Sequence, residues 1–211
     1  VMRLRAAARL ATTAPLGNGD ATVPIMDGSD FFCAVQSRGL HAVLGEAGGL
    51  VKVTNALPGQ EATHALSALV GLDEKDWMLS ANQRREDADH RFWRYEGPAV
   101  DNVRRRLADL APGLHPNFNA ARYDAGGRIT LHNDARSWTL EPHEVTNTDY
   151  PVGTQVFRKV AVICYLTQDW CKDYGGCLVD NLQRGPQQIV PEFNSLVCFL
   201  VPREHWVTEV Q

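Results

Sequence analysis

Asn119-Ala-Ala-Arg-Tyr123-Asp-Ala-Gly-Gly-Arg128-Ile-Thr-Leu-His132-Asn-Asp134 is the stretch at which the chain changes character. Two β-type runs, Ala120–Tyr123 and Arg128–His132, flank the turn Ala125-Gly-Gly. Further apolar runs follow at Val156–Leu166, Cys177–Val179, Gln188–Val190 and Leu196–Val201, set apart by Tyr174-Gly-Gly and Arg184-Gly-Pro. The part before Asn119 reads differently. Ser29 or Asp30 can cap a helix through Phe31 to Leu44, and a short strand, Leu50–Thr54, comes next. A second helix starts at Leu57-Pro and runs to Val70. Pro98 opens a third, Ala99–Leu110, with Val100, Val103, Leu107 and Leu110 on one face. Trp77–Gly97 is polar with interleaved aromatics and gives no firm assignment. Helices first and strands afterwards predict an α+β fold, an antiparallel sandwich or jelly roll braced by the early helices.

The chain has 211 residues, enough to bury one sizeable core. Residues 1–28 read as an N-terminal extension or linker, and 29–211 as one domain with helical support over 29–118 and a β core over 119–211. Residues 2–14 are basic, Ala-rich and free of acid, a composition shared by organelle targeting segments and by ordinary first helices. The formal net charge of −4 gives no broad positive field of the kind that nucleic acid or an anionic membrane needs. Arg104, Arg105 and Arg106 then read as the solvated side of the third helix. No run approaches the roughly 20 apolar residues of a spanning helix. Five scattered cysteines in a chain of this length read as reduced thiols, which suggests an intracellular setting, cytoplasmic or within an organelle. A small or peptidic partner fits these numbers.

Alternation along a strand would project the His132 imidazole and the Asp134 carboxylate into the same space. An HxD tripeptide alone arises easily by chance. A third candidate raises its weight: His205, in Pro202-Arg-Glu-His-Trp-Val, follows an apolar strand 73 residues on (205 − 132), enough to cross a sandwich and return. Two histidines and one carboxylate bound facially leave open positions on Fe(II) for a chelating cosubstrate and O₂, although zinc accepts similar ligands. His41, His64, His90, His115 and His143 lack a second ligand at suitable spacing.

The span from Asn119 to Val210 resembles the catalytic core of prolyl 4-hydroxylase-type 2-oxoglutarate and Fe(II)-dependent dioxygenases. The resemblance is carried in order by Tyr123, His132-Asn-Asp134, Tyr165-Leu166, Asp169-Trp170, Gly175-Gly176, Pro191-Glu-Phe-Asn-Ser-Leu-Val-Cys-Phe199 and His205-Trp-Val207. It implies a double-stranded β-helix core, iron held by His132, Asp134 and His205, and Tyr165 donating to the distal carboxylate of 2-oxoglutarate. It also implies Tyr123 lining the same pocket, Arg158 near the substrate entrance, and ascorbate as a possible reductant. In the family a basic residue about ten positions beyond the distal His anchors that carboxylate. The printed sequence stops at Gln211, so the reading expects either a missing C-terminal strand or a lost anchor.

The activity so implied is hydroxylation of a C–H bond, on a prolyl residue of a protein or peptide. The rival from another class is a non-catalytic oxygenase-fold subunit acting as an interaction module in a larger assembly. A zinc hydrolase is a third reading, but no glutamate flanks the HxD to act as a base. Ser137–Thr154, between the first two ligands and the next core strand, is expected to form a loop over the pocket mouth. Gly175-Gly176 reads as a turn device and Trp170 as core.

Overall fold

The computed structural model describes residues 2–7, 23–82, 89–114, 116–141, 151–181 and 185–211. In the helical part, β2 (Ile25–Asp27) leads into α1 (Gly28–Arg38), α2 (Leu40–Glu46), β3 (Leu50–Thr54) and α3 (Gly59–Val70). The expected helix through Leu44 is two helices, because Gly39 between them takes φ +82°, outside the helical region. The cap is Asp27, whose carboxylate accepts from the Ser29 backbone N–H at 3.0 Å. Hydrogen bonds from Asn55 and then Ser29 hold that carboxyl below its usual range.

The unassigned stretch is a hairpin of β4 (Met78–Asn82) and β5 (His90–Tyr95). A 3₁₀ turn at Pro98–Val100 opens α4 (Asp101–Ala108), and all four apolar positions predicted for its inner face are buried. The arginines of this helix are engaged locally: Arg104 donates to the Gly97 carbonyl at 2.7 Å and Arg106 to Glu61 at 3.0 Å.

The β-rich part supplies β6 (Asn119–Arg122), β7 (Arg128–His132), β8 (Ser137–Thr139), β9 (Gln155–Phe157), β10 (Val160–Tyr165), β11 (Leu178–Asp180), β12 (Gln187–Ile189), β13 (Ser195–Leu200) and β14 (His205–Val207). Val156–Leu166 is therefore two strands, β9 pairing with β8 while β10 joins the main sheet. That sheet runs β12-β11-β14-β7-β5-β6-β1-β10-β13-β3-β2, with β1 (Met2–Ala7) inserted between β6 and β10. The boundaries expected from sequence shift accordingly. β1 and β2 fall inside the supposed extension 1–28, and β3, β4 and β5, inside the supposed helical support, belong to the sheet.

The sheet folds over itself. β10 is buried along its whole length because both of its faces are covered. Val160, Val162 and Cys164 pack with Val51, Val53, Leu196 and Cys198 against the four helices. Ala161, Ile163 and Tyr165 face Ile129 of β7, Leu178 of β11 and Val207 of β14 in a second, inner cluster. This is the α+β double-stranded β-helix layout. Burial pushes the thiols of Cys164, to about 12, and Cys198 upward, as befits apolar core cysteines. Among the described residues no helix is long and apolar enough to cross a membrane.

One buried side chain ties the helices to the sheet. Asn194, at φ +56°, accepts from the Leu57 backbone N–H and donates to the Leu57 carbonyl, both at 2.8 Å. Asn194→Ala leaves both Leu57 groups without these partners and keeps a left-handed residue that Asn tolerates better than Ala. The expected loss is about 2 kcal/mol, read as a lower urea midpoint at unchanged m-value.

Candidate metal centre

β14 runs antiparallel to β7 with His205 directly opposite His132. The 73 intervening residues (205 − 132) thus bring the second imidazole back beside the first, with ring centroids 4.1 Å apart. Asp134 arrives by a different route from the expected strand alternation. β7 ends at His132, and Asp134 sits at φ +60°, a left-handed conformation that Asp tolerates better than most residues. That turn folds the carboxylate back between the rings. Its Oδ1 lies 3.5 Å from His132 Nε2 and its Oδ2 3.6 Å from His205 Nε2. The triad is largely withdrawn from solvent, His205 most of all at 1 % side-chain exposure.

Each imidazole is oriented by a backbone carbonyl two residues earlier. His132 Nδ1 lies 2.8 Å from the Thr130 carbonyl and His205 Nδ1 2.7 Å from that of Arg203. A carbonyl can only accept, so each Nδ1 carries the proton and each Nε2 keeps its lone pair for a metal. The three donor atoms lie within 4.8 Å of one another, and among the described residues no other His, Cys, Asp or Glu group of three meets that test. Two nitrogens and one carboxylate oxygen in this arrangement suit an Fe(II) that retains open positions.

Arg203 is a supporting residue that sequence reasoning missed. Its guanidinium grips the buried Asp180 with two prongs, Nη2 to Oδ2 at 2.7 Å, and reaches the Gly48 carbonyl at 3.2 Å. That grip fixes the backbone whose carbonyl aims His205. The only hint in the sequence was an arginine two positions before the distal histidine. Arg203→Lys keeps the charge and loses the fork. Metal titration is expected to show about 10-fold weaker binding, with unfolding little changed.

The remaining candidates divide. Tyr165 and Tyr123 are both buried in the inner cluster, and Tyr123 stacks on Phe92 at 5.3 Å. Arg158, directly after β9, donates from Nη1 to Asp134 Oδ1 at 2.7 Å, so it sits on the candidate metal-binding carboxylate itself. Gly175 and Gly176 take φ +69° and +63° in a turn, and Trp170, half-buried, donates to the Gly175 carbonyl at 2.8 Å. His41, His64 and His90 lie outside the triad, and His90 is engaged with Ser80 at 3.0 Å. His115 and His143 lie outside the described residues. So do 142–150 of the expected loop, whose flanks form the β8–β9 hairpin.

A double-stranded β-helix that carries two histidines and one aspartate at the end of its inner cluster offers three donors for a divalent metal ion. Residues 118–211 match the model of the 2OG-Fe(II) oxygenase superfamily. The fold is that of the prolyl-hydroxylase type. A Pseudomonas putida prolyl-4-hydroxylase superposes with a TM-score of 0.57 at 19% identity, over 85% of this chain and 91% of that one. A Trichoplax adhaerens prolyl hydroxylase, in complex with a hypoxia inducible factor oxygen degradation domain peptide fragment, gives 0.58 at 18%, over 86% of each chain. No curated protein sequence matches the chain.

Proposed function

We propose that this protein is a 2-oxoglutarate-dependent dioxygenase that hydroxylates a C–H bond of a protein or peptide, a prolyl residue being the best candidate. The observation that carries the reading is the convergence of His132, Asp134 and His205 with both Nδ1 atoms engaged by backbone carbonyls and both Nε2 atoms turned toward the Asp134 carboxylate. Iron and 2-oxoglutarate, when bound, supply the oxidising chemistry that consumes O₂ and releases succinate and CO₂. The chain itself holds and orients the metal, and the buried inner cluster limits water around it. Tyr165 and Tyr123 are the candidate cosubstrate contacts inside that cluster. Arg158 is the candidate substrate contact, because it links the metal-binding carboxylate to the β8–β9 hairpin, whose Phe157 is exposed. A peptidic substrate is further supported by the peptide in the Trichoplax complex.

The test is succinate release from 2-oxoglutarate by the purified protein with Fe(II), ascorbate and O₂. A panel of proline-containing peptides is then read by mass for a gain of one oxygen. Succinate formation coupled to a modified prolyl peptide is expected. A folded, iron-loaded protein that forms no succinate with any peptide would point instead to the interaction-module role.

A further inference from the structure

α1, α3 and α4 line a cavity of about 350 Å³, and none of its residues belongs to the inner cluster that the metal centre closes. Its floor is apolar: Phe32 and Val35 of α1 and Leu110, just past α4, all pack in the helix-covered cluster. Its rim is polar and charged. Asn102, Arg105, Arg106 and Asp109 stand at i, i+3, i+4 and i+7, and Asp109, the C-cap of α4, keeps helical dihedrals of φ −65° and ψ −15°. One helix face therefore presents all four to the cavity. A volume of this size, with an apolar floor and a few polar groups, is what small-molecule sites have, on the order of 300–1,000 Å³.

The charged groups of the rim are only partly spent on one another. Glu61 of α3 holds Arg106 through Nε alone, at 3.0 Å, so that among the described residues both Nη groups of Arg106 lack an acceptor. Arg105 gives Nε to the Asp101 carbonyl at 3.4 Å and Nη2 to the Asn102 side-chain oxygen, and keeps Nη1. Arg105 and Asp109 are spaced to pair at i and i+4, yet the Asp109 carboxylate takes no hydrogen bond or ion pair from a described residue. A lone anion in the cavity would meet Asp109, and a lone cation would meet two guanidiniums. An uncharged apolar molecule would cover charged groups without pairing them. A compact zwitterion with an apolar tail answers all of these demands. We propose that the cavity binds a free α-amino acid with an apolar side chain. Its carboxylate lies on Arg106 and Arg105, its ammonium on Asp109, and its side chain against Phe32, Val35 and Leu110. Arg106 and Asp109, at i and i+3, are near enough to share one such head group.

The test is an NMR titration of the full chain with L-leucine and L-phenylalanine. Two analogues of leucine accompany them: leucinamide, which lacks the carboxylate, and 4-methylpentanoate, which lacks the ammonium. At least one of the two amino acids is expected to bind with a Kd of about 1 mM or below, and each analogue about 10-fold more weakly than leucine. Asp109→Asn is expected to weaken the amino acid about 10-fold and to leave 4-methylpentanoate within about threefold of its wild-type affinity. Arg106→Gln is expected to weaken the amino acid and 4-methylpentanoate by about 10-fold and to spare leucinamide. Arg105→Gln replaces Arg106→Gln if thermal unfolding shows that variant to be misfolded. A folded wild-type protein that binds neither amino acid below about 10 mM overturns the proposal. So does an analogue that binds as tightly as leucine, and so do affinities unchanged in the folded variants. None of these outcomes bears on the oxygenase reading, whose metal centre lies elsewhere in the fold.

Discussion

His132→Ala is expected to weaken Fe(II) binding by more than about 100-fold and to abolish succinate release, while thermal unfolding of the metal-free protein moves little. The magnitude follows from comparing shells. Disturbing an outer partner of a metal ligand typically costs 10- to 100-fold in affinity, and removing one of three direct donors must exceed that. Little loss of stability is expected because His132 stands at the end of β7, the last residue of its strand, and its Nδ1 bonds a carbonyl two residues away in the same strand. Asp134 makes the more demanding comparison. Its carboxylate meets Arg158 and both imidazoles, so Asp134→Ala removes a donor and strips a partner from a partly buried guanidinium. Anaerobic metal titration alongside calorimetry separates the two effects. Unimpaired iron binding by both variants would mean that the triad is not the metal centre.

The site was legible in the sequence to the extent that chemistry and order along the chain carry information. His132, Asp134 and His205 could be chosen because their types suit one metal and because β-type runs lay between them. Geometry was less accessible. Alternation predicted the right neighbour for the wrong reason, since a left-handed Asp134 and not a continuing strand turns the carboxylate inward. β14 was missed because three residues after Pro202-Arg-Glu have too little pattern to read as a strand; pairing with both β7 and β11 makes it one.

The same limit explains β1 and the β4–β5 hairpin. Met-Arg-Leu-Arg-Ala-Ala matches the composition of a basic helix or targeting segment, and it is extended because two neighbouring strands bond its backbone. In β5, Phe92 and Trp93 are consecutive and both half-buried, so the polar-apolar alternation that announces a strand is absent. The helix-covered face was plainer, because Val100, Val103, Leu107 and Leu110 repeat at helical spacing and stay together in the core.

The Gly-Gly turn shows how a residue without chemistry can govern the metal centre. Gly175 has φ +69° and ψ −150°, a region open essentially to glycine alone, and a Cβ built there would lie 1.8 Å from the Glu209 carbonyl oxygen. The close approach has a purpose. Gly176 donates to the Thr208 carbonyl at 3.1 Å, Thr208 to the Cys177 carbonyl at 2.9 Å and Gln211 to the Tyr174 carbonyl at 3.1 Å. These bonds clip the segment after β14 onto the turn before β11, and β14 carries His205. In Gly175→Ala, backbone strain of about 1–3 kcal/mol adds to a clash with main-chain atoms that no rotamer change relieves. A total destabilisation above about 4 kcal/mol is expected by urea unfolding, together with weaker metal binding in whatever fraction stays folded. Ala at position 176, where φ is +63°, meets the same left-handed penalty and is expected to cost less, about 1–2 kcal/mol. Equal and small effects at both positions would show that the turn relaxes freely, and the aim of His205 would then rest on the Arg203 carbonyl and the β7–β14 pairing alone.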